Sequence, residues 1–206
     1  TTFRGVETFV HELSNRLEDL DIEVSVFQNG PRLKNAKYKT FTVPVDIDWS
    51  KRGSYLSFIN YYSLRAKEFT QKTLKILDKD IDILFPTNGQ WESFLCSIWA
   101  KKNGKKLVIS GQSGPGFDDR INLWCFPNRF VALTKHQARW ARFVNPLVET
   151  EVIPNGVDIF RFRRGANPIK PNLPRPIILC VAALDTWKRQ YLAIKAVSKL
   201  GYGSLL

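Results

Sequence analysis

Ile81-Asp82-Ile83-Leu84-Phe85 and Lys106-Leu107-Val108-Ile109-Ser110 are the two stretches of sequence that decide the fold. Both are short and rich in branched aliphatic residues, and such stretches between turn residues predict buried β-strands. Residues 91–101, which lie between them, have the length of a helix. A strand, a helix and a second strand in this order predict a crossover unit with parallel strands.

The same alternation of helix and strand continues on both sides of this unit. Apolar residues recur at three- and four-residue steps from Val6 to Leu20, which is typical of one buried helix face. The predicted helices are residues 6–20, 56–77, 91–101 and 135–143, and the predicted strands are residues 22–27, 42–45, 81–85, 106–110, 130–133 and 151–153. The pattern predicts an α/β fold with a doubly wound, Rossmann-like parallel sheet that is covered on both faces.

A second domain is predicted to begin after the turn Ile153-Pro154-Asn155-Gly156-Val157-Asp158. Residues 161–176 contain four prolines and a cluster of arginines, which is typical of an interdomain connection. An apolar strand over residues 177–181 follows, and then an amphipathic helix. We therefore assign residues 1–157 to an N-terminal domain and residues 158–206 to a linker and the truncated start of a second Rossmann-like domain.

The composition predicts a cytoplasmic protein with anionic partners. The 206 residues include 31 Lys and Arg against 19 Asp and Glu, which gives a formal net charge of +12. Such a charge attracts nucleic acid, anionic lipid headgroups or phosphorylated substrates without choosing among them. No apolar run approaches the roughly 20 residues that a membrane span needs, and no signal-peptide pattern opens the chain. The chain contains no Met, so we expect both of its ends to be cut.

The patterns of metal sites and hydrolases are weak in this chain. D-x-D patterns occur at residues 46–48 and 80–82, but the second pair stands at the entrance of a predicted strand, the wrong end for chemistry. His11 and His136 lack a nucleophile and an orienting acid at recognisable spacing. The widely spaced cysteines, Cys96, Cys125 and Cys180, predict reduced buried thiols. We therefore expect no bound metal and no triad.

Ligands of an open parallel sheet bind beyond the carboxyl ends of its strands, where loop amides and helix N-termini converge. This rule selects residues 4–7, 87–90, 111–116 and 183–189. The candidate cleft-lining residues of the middle two loops are Asn88, Gln112, Ser113, Gly114 and Gly116. The glycine-rich loop lacks the lysine of a P-loop and the glycine spacing of a dinucleotide fingerprint. It is therefore either a substrate-lining loop or a structural turn.

Two predicted helix starts are candidates for binding phosphate. The loop with Arg4 and Gly5 precedes an amphipathic helix and either binds a phosphate or a sugar hydroxyl or only caps the helix. Lys188 and Arg189 follow the predicted strand at residues 177–181 and begin a helix. Two cations beside a helix N-terminus would neutralise a diphosphate both when it is bound and as it leaves. The alternative is a solvated charged turn.

Three segments of the chain resemble family 4 glycosyltransferases with the GT-B fold. Arg4-Gly5-Val6-Glu7 is similar to the G-G-x-E opening of that family, and residues 153–158 match its I-P-N-G-V-D hinge. Residues 178–200 are similar to its strand, L-x-x-x-K turn and helix. The resemblance spans nearly the whole chain.

This resemblance implies two facing Rossmann-like domains, of which the first binds a saccharide or lipid-linked acceptor and the second a nucleotide-sugar donor. It implies transfer with retention of anomeric configuration, no essential metal and no cofactor. By the same resemblance Gly5 would approach the donor phosphate or the acceptor, and Lys188 the diphosphate. Asn155 and Gly156 would shape the hinge.

Several positions depart from the family pattern. Ala183 stands where the family has an arginine, so Arg189 is the candidate replacement for that charge. Gln112 and Ser113 replace a histidine that is common in the loop after the fourth strand. The acidic donor-binding motif is expected beyond Leu206, and we therefore expect this stretch of chain to be inactive alone.

Two other function classes remain open. A basic module for nucleic acid would need aromatic and basic residues interleaved on one surface, whereas the aromatics here fall mostly on predicted helix faces and strands, so nucleic acid is not an expected partner. A nucleotide-sugar epimerase would need an acid and base pair facing the sugar, and no convincing pair occurs. The positive charge instead predicts peripheral contact with the anionic inner face of the membrane.

Overall fold

The computed structural model describes residues 5–51, 56–163, 172–173, 175–182, 184, 188–200 and 204–205. The chain divides into two compact units, Thr1–Asn155 and Gly156–Leu206. The sequence predicted a boundary after residue 157, and the acceptor and donor roles of the two parts stay predictions. Among the described residues, no helix has both the length and the apolar character to cross a bilayer.

The first unit alternates helices with short strands. Its helices are α1 (Gly5–Glu18), α2 (Tyr61–Ile76), α3 (Gln90–Lys102), α4 (Phe117–Trp124) and α5 (Lys135–Val144), and its strands are β1 (Ser25–Gln28), β2 (Lys39–Thr42), β3 (Ile83–Leu84), β4 (Lys106–Gly111), β5 (Arg129–Ala132) and β6 (Thr150–Val152). Strands β3, β4, β5 and β6 form a four-stranded sheet in that order, and every pair is parallel. Strands β1 and β2 form a separate parallel pair. The predicted α/β fold with a Rossmann-like parallel sheet is therefore confirmed.

The core of this unit lies between the four-stranded sheet and helices α3, α4 and α5. Alternate residues of β4 and β5 face it, namely Leu107, Ile109, Phe130 and Ala132, all of which are buried. Val108 on the other face of the sheet is only half-buried. The packing of α3, α4 and α5 against one face follows from the strand order, because sequential right-handed crossovers place their helices on the same side.

One helix was not predicted and one strand is displaced from its predicted position, whereas the other elements of this unit overlap their predictions with shifted or shortened ends. Residues 117–124 form α4, a helix that was not predicted from the sequence. The helix is only 8 residues long, which is too short for apolar periodicity to be recognised. Strand β2 ends at Thr42 rather than beginning there, because its register is set by pairing with β1, where Ser25 lies opposite Lys39. Residues 43 and 45 are buried outside the strand.

The second unit contains β7 (Ile177–Ile178), α6 (Gln190–Leu200) and β8 (Ser204–Leu205). β7 pairs in parallel with β8. The strand predicted over residues 177–181 is therefore shorter than expected, and the predicted amphipathic helix begins at Gln190. The apolar side chains of Tyr191 and Ile194 on α6 are more than half exposed.

Candidate functional site

The carboxyl edge of the four-stranded sheet forms a narrow pocket with the first turns of α1. Val6 and Phe9 of α1 line this pocket together with Phe85, Pro86, Thr87, Ser110 and Gln112. The last five belong to the end of β4 and to the loops that follow β3 and β4. Segments selected separately in the sequence, residues 4–7, 87–90 and 111–116, thus meet at one place. We call it the α1 pocket.

The loop after β4 is joined to the residue pair that follows β6. Gln112 donates from Nε2 to Asn155 Oδ1 at 3.2 Å, and Asn155 donates from Nδ2 to Gln112 Oε1 at 3.0 Å. Gln112 Nε2 also lies 2.9 Å from Ser110 Oγ. The reciprocal amide pair fixes the orientation of both side chains, since each amide accepts and donates once. A predicted cleft residue and a predicted hinge residue are therefore in direct contact.

A buried carboxylate lies directly behind the glycine-rich loop. Asp119 is 1 % exposed and accepts hydrogen bonds from Gln137 Nε2 at 2.8 Å, from Asn122 Nδ2 at 3.3 Å and from the backbone N–H of Gly114. Burial raises the pKa of Asp119 to about 6, although these hydrogen bonds act to lower it. The carboxylate thereby holds the positive-φ turn at Gly114 to the start of α4.

Gln137 extends this network to the neighbouring loop. Its Nε2 also donates to the carbonyl of Gly111 at 2.7 Å, and its Oε1 accepts from the backbone N–H of Leu133 at 2.8 Å. A Cβ atom on Gly111 would lie less than 3.0 Å from Phe130, Gln137 and Asp119. Glycine is therefore required at this position for close packing, not for an unusual backbone angle.

A second buried carboxylate holds the loop after β3. Glu92, in the first turn of α3, accepts from the backbone N–H of Thr87 at 2.9 Å and from the side-chain amide of Asn88. Burial raises the pKa of Glu92, while its hydrogen bonds oppose that change. Ser93 Oγ donates to Asn122 Oδ1 at 2.7 Å and so connects α3 to the Asp119 network. Glu92, Asn122 and Gln137 were not predicted as site residues, because their helices contain other polar residues and no local pattern distinguished these three.

The protonation of Asp119 predicts a pH dependence of stability. Burial disfavours the carboxylate form of Asp119 and so lowers the free energy of unfolding when that form is present. This penalty is absent below pH 3.8, the ordinary pKa of an aspartate side chain, and complete above about pH 6. We expect the free energy of unfolding of the protein, relative to that of Asp119→Asn, to fall as pH rises from 4 to about 6. Denaturant unfolding of both proteins across this range measures the difference. Asp82→Asn, at an exposed position, should show the same pH slope as the parent, and an identical slope in Asp119→Asn would contradict the prediction.

The other predicted site residues that are described in the first unit lie at helix starts or at exposed loop positions. Gly5 is exposed at the first residue of α1, and Arg4 lies outside the described residues. Ser113 is exposed, and Gly116 is the N-cap of α4 with an extended backbone. The predicted side chains whose hydrogen bonds define this edge of the sheet are therefore those of Asn88, Gln112 and Asn155.

The two histidines lie on different helices, His11 on α1 and His136 on α5. His11 Nδ1 lies 3.0 Å from the Tyr38 hydroxyl, and its Nε2 lies 3.2 Å from Asn15 Nδ2. His136 is exposed in the first turn of α5. The contacts of His11 join α1 to the chain just before β2, which is a structural role.

The second unit contains the predicted cations. Lys188 and Arg189 immediately precede α6 and are exposed. Arg189 has a left-handed backbone with φ of 54°, and its carbonyl accepts from the N–H of Leu192 at 2.9 Å. Gly156 is the first residue of this unit and is exposed. Ala183 and residues 185–187 lie outside the described residues.

Comparison with known families identifies the first unit. The family model of Glycosyltransferase Family 4 matches residues 3–161, a range that includes α1, the α1 pocket, both buried carboxylates and Asn155. No curated protein sequence matches the chain. The match covers most of the 206 residues and confirms the resemblance seen in residues 4–7 and 153–158. The chain therefore belongs to glycosyltransferase family 4, and its activity is that of a glycosyltransferase.

Proposed function

We propose that this glycosyltransferase moves a sugar from a nucleotide-sugar donor to a saccharide or lipid-linked acceptor. In this proposal the carboxyl edge of the first unit receives the acceptor, and the second unit contributes Lys188 and Arg189 to the donor diphosphate. Donor and acceptor are the partners, and no cofactor takes part.

The convergence of loops around the α1 pocket, whose own volume is only about 10 Å³, is the observation that supports the acceptor role. Open parallel sheets bind ligands beyond the carboxyl ends of their strands, and here a helix start, two loops and Gln112 meet at that edge. The loops are held by Glu92 and Asp119 from behind, so their backbone groups are fixed before any ligand arrives. Such preorganisation lowers the cost of ordering the site when a ligand binds.

The chemistry proposed for Lys188 and Arg189 is electrostatic. The bond between the sugar and the diphosphate breaks as the new glycosidic bond forms, and negative charge grows on the departing phosphate. Cations at the start of a helix stabilise that charge more in the transition state than in the bound donor. Because two side-chain cations can perform this role, we propose that no metal is needed. From the family resemblance we also propose that the product retains the anomeric configuration of the donor.

A donor screen on the full-length protein tests this function. We expect one class of nucleotide sugar to raise the melting temperature, and the same compound to support glycosyl transfer or slow hydrolysis. Transfer should be unchanged by EDTA, and NMR of the product should show the anomer of the donor. Loss of activity in EDTA that Mg²⁺ or Mn²⁺ restores would contradict the metal-independent mechanism. A protein that binds no nucleotide sugar would contradict the donor assignment.

Cytoplasmic location and peripheral contact with an anionic membrane stay predictions. The basic cluster made of Lys101, Lys102, Lys105 and Lys106 lies at the end of α3 and the start of β4. This is the amino edge of the sheet, opposite to the α1 pocket. Contact with a membrane through this cluster would therefore direct the pocket away from the lipid surface. The predicted inactivity of residues 1–206 alone also stays a prediction.

A further inference from the structure

A second concavity lies beside the α1 pocket, between the first turns of α2 and α3. It has a volume of about 300 Å³, which is at the lower end of the range for small-molecule sites. Its lining includes Asn60, Tyr62, Ala66, Asn88, Gln90 and Trp91. We call it the α2–α3 groove. Asn88 and Gln90 belong to a loop that was selected from the sequence, and only Asn88 was a candidate cleft residue. None of the six lines the α1 pocket.

The groove combines aromatic rings with side chains that both donate and accept hydrogen bonds. Tyr62 and Trp91 supply apolar area with a polar end. Asn60 and Asn88 supply amide oxygens, each of which has two lone pairs, whereas both ends of the Gln90 amide are bonded within the protein. A sugar ring presents apolar C–H groups on its faces and hydroxyl groups around its edge, and the hydroxyls also donate and accept. The lining therefore matches the two kinds of surface that a neutral saccharide offers.

The walls of the groove are fixed by bonds within the protein. The indole N–H of Trp91 donates to the carbonyl of Phe58 at 2.6 Å, and the two rings meet edge to face at 5.2 Å between centroids. Lys67 Nζ lies 4.2 Å from the centroid of the Trp91 ring, close enough for a cation–π contact. These contacts hold the indole in one orientation.

Gln90 connects the two sides of the groove. Its Oε1 accepts from Ser63 Oγ at 2.8 Å and from the backbone N–H of Phe58 at 3.1 Å, and its Nε2 donates to Asp118 Oδ1 at 3.1 Å. Gln90 also has a positive φ of 44°, a conformation that costs free energy and persists when surrounding contacts enforce it. The groove is therefore a fixed feature of the fold that joins α2, α3 and α4.

The groove and the α1 pocket are formed by one continuous segment. Pro86 and Thr87 line the pocket, and residues 88–91 line the groove. Glu92 binds both Thr87 and Asn88 and so fixes the position of one concavity relative to the other. A ligand longer than one sugar unit that lay across the carboxyl edge of the sheet, outside the small α1 pocket, could continue into the groove along this segment.

We propose that the α2–α3 groove is a subsite for a saccharide unit of the acceptor, distinct from the unit that receives the transferred sugar. This proposal rests on the proposed function, since it assumes that the first unit binds a saccharide acceptor. Its consequence is a preference for acceptors of at least two sugar units over single sugars.

The first variant of the test narrows the groove with a larger side chain and leaves the hydrogen bonds of the groove in place. Ala66→Leu places a larger side chain into the groove from α2, and leucine is as compatible with a helix as alanine to within a few tenths of a kcal/mol. Gln71→Leu introduces the same side chain at an exposed position of the same helix and is the matched control. The probes are maltose, cellobiose, chitobiose and mannobiose with their monosaccharides, and binding to the full-length protein is measured by saturation-transfer NMR and titration.

We expect at least one disaccharide to bind the parent protein and Gln71→Leu equally, and to bind Ala66→Leu at least tenfold more weakly. Asn88→Ala should weaken the same disaccharide severalfold, and it serves as the second variant if Ala66→Leu folds poorly. Equal disaccharide binding by the groove variants and the parent would overturn the subsite, as would the absence of disaccharide binding altogether.

A donor melting-temperature assay in the same proteins separates this proposal from the proposed function. A parent protein that binds a nucleotide sugar, but whose disaccharide binding is unaffected by Ala66→Leu, would overturn only the subsite. A parent protein that binds disaccharides in the groove but no nucleotide sugar would overturn the donor assignment and support the groove.

Discussion

Replacing Lys188 with alanine in the full-length enzyme is expected to lower kcat by about 10²- to 10³-fold, the usual effect of removing one group that stabilises transition-state charge. In the proposed mechanism negative charge grows on the diphosphate as it leaves, so the lost interaction would be stronger in the transition state than in the bound donor. Steady-state kinetics with the donor found by screening would measure it. Lys195→Ala, which removes an exposed lysine from the same helix, should leave kcat within about twofold.

A substitution at Arg189 can remove the positive charge without straining the backbone. Its φ of 54° lies in the left-handed region, where glycine is more stable than any residue with a Cβ atom. Arg189→Gly should therefore remove the cation without lowering the melting temperature. We expect a fall in kcat with this variant too. Unchanged kcat in both Lys188→Ala and Arg189→Gly would exclude these cations from the chemistry, and a loss of melting temperature would assign them a structural role instead.

Replacing Gly111 with alanine is expected to lower the free energy of unfolding by about 1–3 kcal/mol, which is the usual cost of inserting a methyl group into a well-packed core. The added Cβ would lie less than 3.0 Å from Phe130, Gln137 and Asp119. Two of these side chains are hydrogen-bonded to each other, so neither can move without breaking that bond. For a chain of this size the melting temperature should fall by about 2–4 °C per kcal/mol.

Gly30→Ala is the control for this prediction, because no atom of the described residues lies within 4 Å of a Cβ atom at that position. It should leave the melting temperature almost unchanged. If Gly111→Ala were equally harmless, the network of Asp119 and Gln137 would be more adaptable than its geometry indicates. Acceptor binding by Gly111→Ala would show whether the loop after β4 has moved, since Gly111 directly precedes Gln112 of the α1 pocket.

The buried carboxylates give this edge of the sheet its rigidity. Glu92 and Asp119 each accept a backbone N–H from a loop that borders the α1 pocket. A buried carboxylate with too few partners would be strongly destabilising, and both groups are instead satisfied by amides and backbone donors. These hydrogen bonds offset only part of the cost of burial, because the pKa of both groups stays above its ordinary value, and their geometry also fixes the loops.

The elements with long, regular patterns were predictable. The helices predicted over residues 91–101 and 135–143 correspond to α3 and α5. Helix α3 is one residue longer at each end, and α5 is one residue longer at its C-terminal end. Helix α4 was missed because its 8 residues include the exposed apolar side chains of Phe117 and Trp124, which obscure the apolar face. Strand β2 was displaced because pairing with β1, not local composition, sets its position.

The sequence predicted which loops contain the site residues, but not the contacts that these residues make. The carboxyl-edge rule selected the loops of Asn88 and Gln112 from strand order alone. It could not show that Gln112 pairs with Asn155, 43 residues later. Nor could it show that Gly111, rather than Gly114 or Gly116, has no room for a side chain.

The class of fold, the order of its elements and the family could be predicted from the amino-acid sequence, because each depends on local periodicity or on short contiguous motifs. The packing of the folded chain sets which loops meet at the α1 pocket, which carboxylates are buried behind them and where the α2–α3 groove lies. Those features depend on contacts between residues far apart in the chain. Such contacts are set by how helices pack on the sheet, and no local pattern records them.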